Sequence, residues 1–177
     1  RRKLALKVIR AGMDTRDVLA RFEVEKNALS MMNHPTIARV IDAGATEEGR
    51  PYFVMEYVPG LPLKEFCAAQ HLPLDQRLRL FIDICHGVQH AHSKAVVHRD
   101  LKPANIILRG GDVSDPVIVD FGLAKRVCDR GLTGPYIMLG TPGYIAPEIV
   151  RGDDADPRSD LFSLGQIARF ALTGEEI

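Results

Sequence analysis

The sequence predicts an α+β chain of two lobes, a small β-rich lobe with one helix and a larger, mainly helical lobe. Three observations predict it. Strand-like runs at 4–9, 37–43 and 51–58 crowd the first third of the 177 residues, with one amphipathic segment between them. Pro59-Gly60 then breaks the pattern. Beyond it the chain reads almost entirely as helix or loop.

Leu4-Ala5-Leu6-Lys7-Val8-Ile9 reads as a strand with one lysine in an apolar run. Asp14 or Thr15 can cap a helix reaching about Met32, with Val18, Phe22, Leu29 and Met32 on one face. Glu25 falls on that stripe, where a carboxylate is costly unless a cation meets it; Lys7 is the candidate. Asn33-His34-Pro35 stops the helix, and Glu47-Glu48-Gly49-Arg50 supplies the turn between the next two strands. The lobe boundary is placed after Val58, giving segments 1–58 and 59–177. A long helix is expected over 74–94, with Leu78, Phe81, Cys85 and His92 along one line. Val117-Ile118-Val119 looks like a buried strand, and short strands flank Gly110-Gly111 as a hairpin. A last helix begins near Asp156-Pro157, where aspartate caps and proline occupies the first turn, with Leu161, Leu164, Ala168 and Ala171 turned inward.

Composition narrows the function classes. With 23 basic and 23 acidic residues, no net charge steers the chain toward nucleic acid or an acidic membrane. Cys67, Cys85 and Cys128 lie far apart without paired metal spacing, which favours reduced thiols in the cytoplasm. No apolar run approaches the roughly 18 residues of a membrane span, so no membrane contact is expected from this segment. His86, His90 and His92 share one helix, but Gly87 stands where a metalloprotease needs glutamate, so zinc is declined.

The chemistry concentrates in two places. Residues 98–105 read His-Arg-Asp-Leu-Lys-Pro-Ala-Asn, and Asp120-Phe121-Gly122 follows the apolar run. The first puts a carboxylate (Asp100), an ammonium (Lys102) and an amide oxygen (Asn105) in one loop; the second adds a carboxylate. A base for a hydroxyl, a cation for a phosphate and two oxygen ligands for a hard divalent metal are what phosphoryl transfer needs.

The order and spacing of these motifs resemble the serine/threonine protein kinases, in the bacterial-like eukaryotic-type group. The likeness extends to Leu4-Ala5-Leu6-Lys7, Gly140-Thr141-Pro142-Gly143-Tyr144 and Ala146-Pro147-Glu148. It implies a bilobal protein-kinase-like fold, seen in part. The family's glycine-rich loop would precede Lys7 and a helical subdomain would follow Ile177, so the chain reads as a fragment of a longer polypeptide.

By this resemblance the chain transfers the γ-phosphate of ATP to Ser/Thr hydroxyls of protein substrates. Asp100 orients and deprotonates the hydroxyl, Lys102 steadies the phosphate, and Thr141 hydrogen-bonds both. Asn105 and Asp120 hold Mg²⁺, while Lys7 meets the α- and β-phosphates and pairs with Glu25. Met55 backs the adenine pocket, backbone groups of Glu56 and Val58 hold the adenine edge, and Ala5 and Ile107 sandwich the ring. Asp160 anchors the catalytic loop and Glu148 pairs with an arginine beyond this segment. Arg99 beside Asp100 suggests regulation by activation-segment phosphorylation, with Thr133 favoured over Tyr136 and Thr141. A silent binding module of the same fold would lack Lys7, Asp100 or Asp120, and all three are present.

Overall fold

A computed structural model describes residues 3–8, 22, 24, 26–69, 72–121 and 143–174. Thr133, Thr141, Cys128 and Glu25, with their expected roles, lie outside the described residues. Alternating side chains build the first sheet from β1 (Leu4–Val8), β2 (Val40–Ala45) and β3 (Pro51–Glu56), antiparallel in the order β1-β3-β2. Ala5 lies opposite Met55 and Lys7 opposite Phe53, so these four share a face. That face is the inner one: Phe53 is fully buried, whereas Leu6 is 64% exposed. The lysine of β1 therefore points inward and the strand's leucines outward, the reverse of the usual partition.

Residues 22, 24 and 26–30 are helical, and their Phe22 and Leu29 are buried with Met32 against this sheet. The rings of Phe22 and Phe53 lie 4.6 Å apart and tilted, a favoured aromatic arrangement. The strand expected over 37–43 starts later, at Val40. Ile37 instead forms a parallel bridge with Ile118 of the other sheet.

That second sheet runs β4 (Gly60–Pro62), β5 (Ile106–Arg109) and β6 (Pro116–Ile118), again antiparallel. Gly110 (φ 61°) and Gly111 (φ 79°) turn the chain after β5 in left-handed conformations that glycine adopts without strain. Strand β4 and helix α1 (Leu63–Ala69) were not anticipated by periodicity. Helix α2 (Leu74–Ser93) matches the expected span, but Leu80, Ile84, Val88 and Ala91 form its buried line and Leu78 is exposed. A short helix α3 (Pro147–Val150) precedes α4 (Pro157–Thr173), which packs on α2. Asp156 caps α4 as expected: its carboxylate accepts from the Arg158 N–H at 2.7 Å, and Ser159 returns a bond to complete a capping box. Leu164 and Ala171 turn inward with Ile167 and Phe170, whereas Leu161 is 57% exposed.

The core runs from Phe53 and Leu29 through Ile118 and Leu108 to Ile84 and Ile167. Each such side chain contributes about 1.5–3 kcal/mol by leaving water, which fixes the sheets and helices that carry the polar loops. Cys67 and Cys85 are free thiols, and burial pushes both thiol pKa values up, so neither is activated.

Candidate functional site

The loop 98–105 hangs on one buried carboxylate. Asp160, in the first turn of α4, is 1% exposed and accepts from the backbone N–H of His98 (2.8 Å) and of Arg99 (2.9 Å). His92 of α2 donates from Nε2 to the same carboxylate at 2.8 Å. Burial pushes the Asp160 carboxyl up, but the His92 hydrogen bond, the nearby His98 and the two N–H donors outweigh it and hold it below its ordinary value. With both N–H groups captured, Arg99 sits at φ 68°, a left-handed conformation uncommon outside glycine.

His98 ties this loop to the segment that leads into Asp120. Its ring is buried, and burial drives its pKa down, so it is neutral. Nδ1 accepts from the Asp100 N–H at 3.2 Å, which leaves the proton on Nε2, where it is donated to the Val119 carbonyl at 3.1 Å. The Val119 N–H in turn donates to the Asn105 carbonyl at 2.9 Å. Both backbone groups of Val119 are thus held by the loop, which places Asp120, the next residue, beside it. The Phe121 ring lies tilted against that of His98, with centroids 4.6 Å apart.

The charged groups then meet. Lys7 Nζ reaches Asp120 Oδ1 at 3.1 Å across 113 residues of chain. Lys102 Nζ lies 3.2 Å from Asp100 Oδ2. Asn105 donates from Nδ2 to the Asp100 carbonyl at 2.8 Å, so its amide oxygen is the group left to offer a cation. The 3₁₀ turn Pro103–Asn105 sets that orientation. Asp120, like Arg99, has a positive φ of 58°. Lys7 and Asp120 thus lie beside the loop that carries Asp100, Lys102 and Asn105.

Around them, Met55 is buried, while Ala5, Val58 and Ile107 are half-buried. The Glu56 N–H donates to the Arg39 carbonyl at 2.9 Å, so that donor is already taken. Glu148 accepts from Ser159 Oγ at 2.8 Å. The three helix histidines serve separate ends: His86 is exposed, the His90 ring lies 5.2 Å from that of His34, and His92 binds Asp160. Sequence reasoning missed the parts played by His92 and His98. A histidine one residue before the loop's charged pair was the available signal for His98; for His92, 68 residues from its partner, there was none.

Two lobes with a lysine, two carboxylates and an amide converging between a strand and two loops define a phosphotransferase-like architecture. The chain belongs to the protein kinase domain family, whose profile it matches over residues 1–177. It is 36% identical over 181 residues to the serine/threonine-protein kinase PknB of Mycobacterium leprae, spanning 98% of this chain and 29% of that relative. Among solved structures it resembles the kinase domain of Mycobacterium tuberculosis PknI (29% identity, TM-score 0.74), covering 97% of this chain and 64% of that one. It also resembles Rad53, crystallised with AMP-PNP (31% identity, TM-score 0.75), covering 97% and 41%. The chain thus spans under a third of the curated relative's length.

Proposed function

We propose that this segment carries the catalytic core of a protein serine/threonine kinase, transferring the γ-phosphate of ATP to serine or threonine hydroxyls of proteins. The carrying observation is the double grip of the loop on Val119, which sets Asp120 and its Lys7 partner beside Asp100, Lys102 and Asn105. The lobes divide at 58/59.

The donor set fits Mg²⁺. Asp120 and Asn105 offer hard oxygen ligands, and among the described residues no cluster of three His, Cys, Asp or Glu forms a separate metal cage. Two protein oxygens completed by phosphate oxygens is the way Mg²⁺ is held in nucleotide sites. When bound, Mg²⁺ neutralises charge on the nucleotide phosphates. The chain's own residues do the positioning. Lys7 receives the α- and β-phosphates, with Glu25 as its expected second partner. Ala5, Met55 and Ile107 line the adenine pocket, and the Glu56 carbonyl with Val58 recognises the ring edge. Asp100 accepts the hydroxyl proton as the oxygen attacks in line, Lys102 steadies the moving phosphate, and Thr141 supports both. Phosphorylation of Thr133, with Arg99 as the cation to receive the phosphate, is the proposed control.

The test is a pair of variants in the full-length protein. Asp100→Asn is expected to lower turnover by about 10²–10⁴ with Mg²⁺-ATP binding retained. Asp120→Ala is expected to weaken Mg²⁺-ATP binding as well. Wild-type phosphate transfer by Asp100→Asn would remove Asp100 as the base.

A further inference from the structure

Beyond the motif residues, one side chain stands where the two sheets meet. Arg109 ends β5 and Glu56 ends β3 in the other sheet, and Arg109 Nη1 donates to Glu56 Oε1 at 2.8 Å. The Glu56 side chain is 15% exposed and that of Arg109 34%, so solvent screens the pair in part. The other Glu56 carboxylate oxygen accepts from the Arg39 N–H at 3.4 Å, a long bond on the same strand-end junction that holds the Glu56 N–H. On the far side of the guanidinium, Nε lies 3.1 Å from Asp115 Oδ2.

The backbone repeats the connection. Gly60 pairs with Arg109 across β4 and β5, and the Gly110 N–H donates to the Pro59 carbonyl at 2.7 Å. The segment 56–60 is therefore held to the end of β5 at one end by an ion pair and at the other by main-chain bonds. Along β5, Ile107 and Arg109 are two residues apart and share a face, opposite the buried Ile106 and Leu108. The strand that carries Ile107 thus grips Glu56 with its next residue on that face.

We propose that Arg109 is a positioning residue for adenine recognition: it fixes the height of the Glu56 carbonyl above Ile107. This rests on the nucleotide reading above. Arg109 touches no part of the nucleotide; it acts through Glu56. Its loss weakens whatever binds the 56–58 edge and leaves phosphate binding alone.

The experiment measures binding of Mg²⁺-ATP, adenosine and inorganic tripolyphosphate by titration calorimetry to the full-length protein and its variants. In Arg109→Met, ATP and adenosine are expected to weaken by the same factor, about five-fold, the scale of a partly buried ion pair. Tripolyphosphate affinity stays put, and Arg109→Lys restores most of the loss. Glu56→Gln breaks the same pair from the other side and serves if Arg109→Met does not fold. It gives a similar factor, and where the double variant can be made it is no worse than either single. Unchanged ATP and adenosine affinities in both single variants overturn the proposal while leaving the kinase reading intact. An equal loss for tripolyphosphate also overturns it, since the damage is then general. Wild-type protein that binds neither ATP nor adenosine overturns the kinase reading and this proposal with it.

Discussion

Removing the Asp160 carboxylate is expected to do two separable things. In Asp160→Ala the buried N–H of His98 and the partly buried N–H of Arg99 lose their acceptor. An orphaned buried donor costs roughly 1–3 kcal/mol and a partly buried one less, so the pair costs about 3 kcal/mol. His92 is 17% exposed and can turn to water, so its lost bond adds little. Set against the roughly 5–15 kcal/mol that holds a domain folded, this is a large fraction. Asp160→Asn keeps one oxygen for an N–H but sets an amide against the other donors, and is expected to lose about half as much. Urea unfolding of wild-type and variant full-length protein measures the difference through the transition midpoint at constant slope. Phosphate transfer, assayed where the variant is still folded, should fall as well. Arg99 is no longer held at its positive φ, and Asp100 and Asn105 move with it. Asp160→Ala losing under about 1 kcal/mol with full transfer activity would refute the account of the loop's support.

Stability should decline on acidification in two stages. His98 is neutral when folded but takes a proton when unfolded below its ordinary 6.5, so its contribution is intact above that pH and shrinks as pH falls. His34, lowered by burial and by His90 and His86 against the pull of Asp83, acts with the same sign. Asp160, held below its ordinary 3.8, keeps its contribution above that value and loses it as pH falls through the folded one. Unfolding free energies between about pH 7.5 and 5.5 should drop less in His98→Gln than in wild type. Gly60→Ala would drive a Cβ into the Leu108 carbonyl oxygen, so at least about 2 kcal/mol of stability should go, read as a lowered melting temperature. Asp156→Ala removes the capping box of α4 and should cost about 1 kcal/mol with nucleotide affinity unchanged.

What was legible in the sequence was local. The start of α4 follows from Asp156-Pro157 and the span of α2 from its long amphipathic run, because caps and periodicity act within a few residues. The buried side of α2 was not legible. Leu74, Leu78 and Ile82 make one apolar line and Leu80, Ile84 and Val88 another, and the neighbours decide which is covered. Strand β4 is three residues long and exists through its pairing with β5, far along the chain. The candidate site divides in the same way. The loop 98–105 announces its chemistry by order and spacing, whereas the Lys7–Asp120 contact and the Asp160 anchor join residues 113 and 62 positions apart.

The bridge between Ile37 and Ile118 bears on how the cleft can open. There the Ala38 N–H donates to the Ile118 carbonyl and the Ile118 N–H to the Thr36 carbonyl, two residues before Asp120. The strand exit at Pro59 and Gly60 is the other backbone attachment described above. A plate bolted to its base at two points swings about the line through the bolts and resists sliding or twisting. Movement between the first sheet and the loops is therefore smallest near Ile118, two residues before Asp120, and larger at Lys7 on β1, the opposite edge of that sheet from β2.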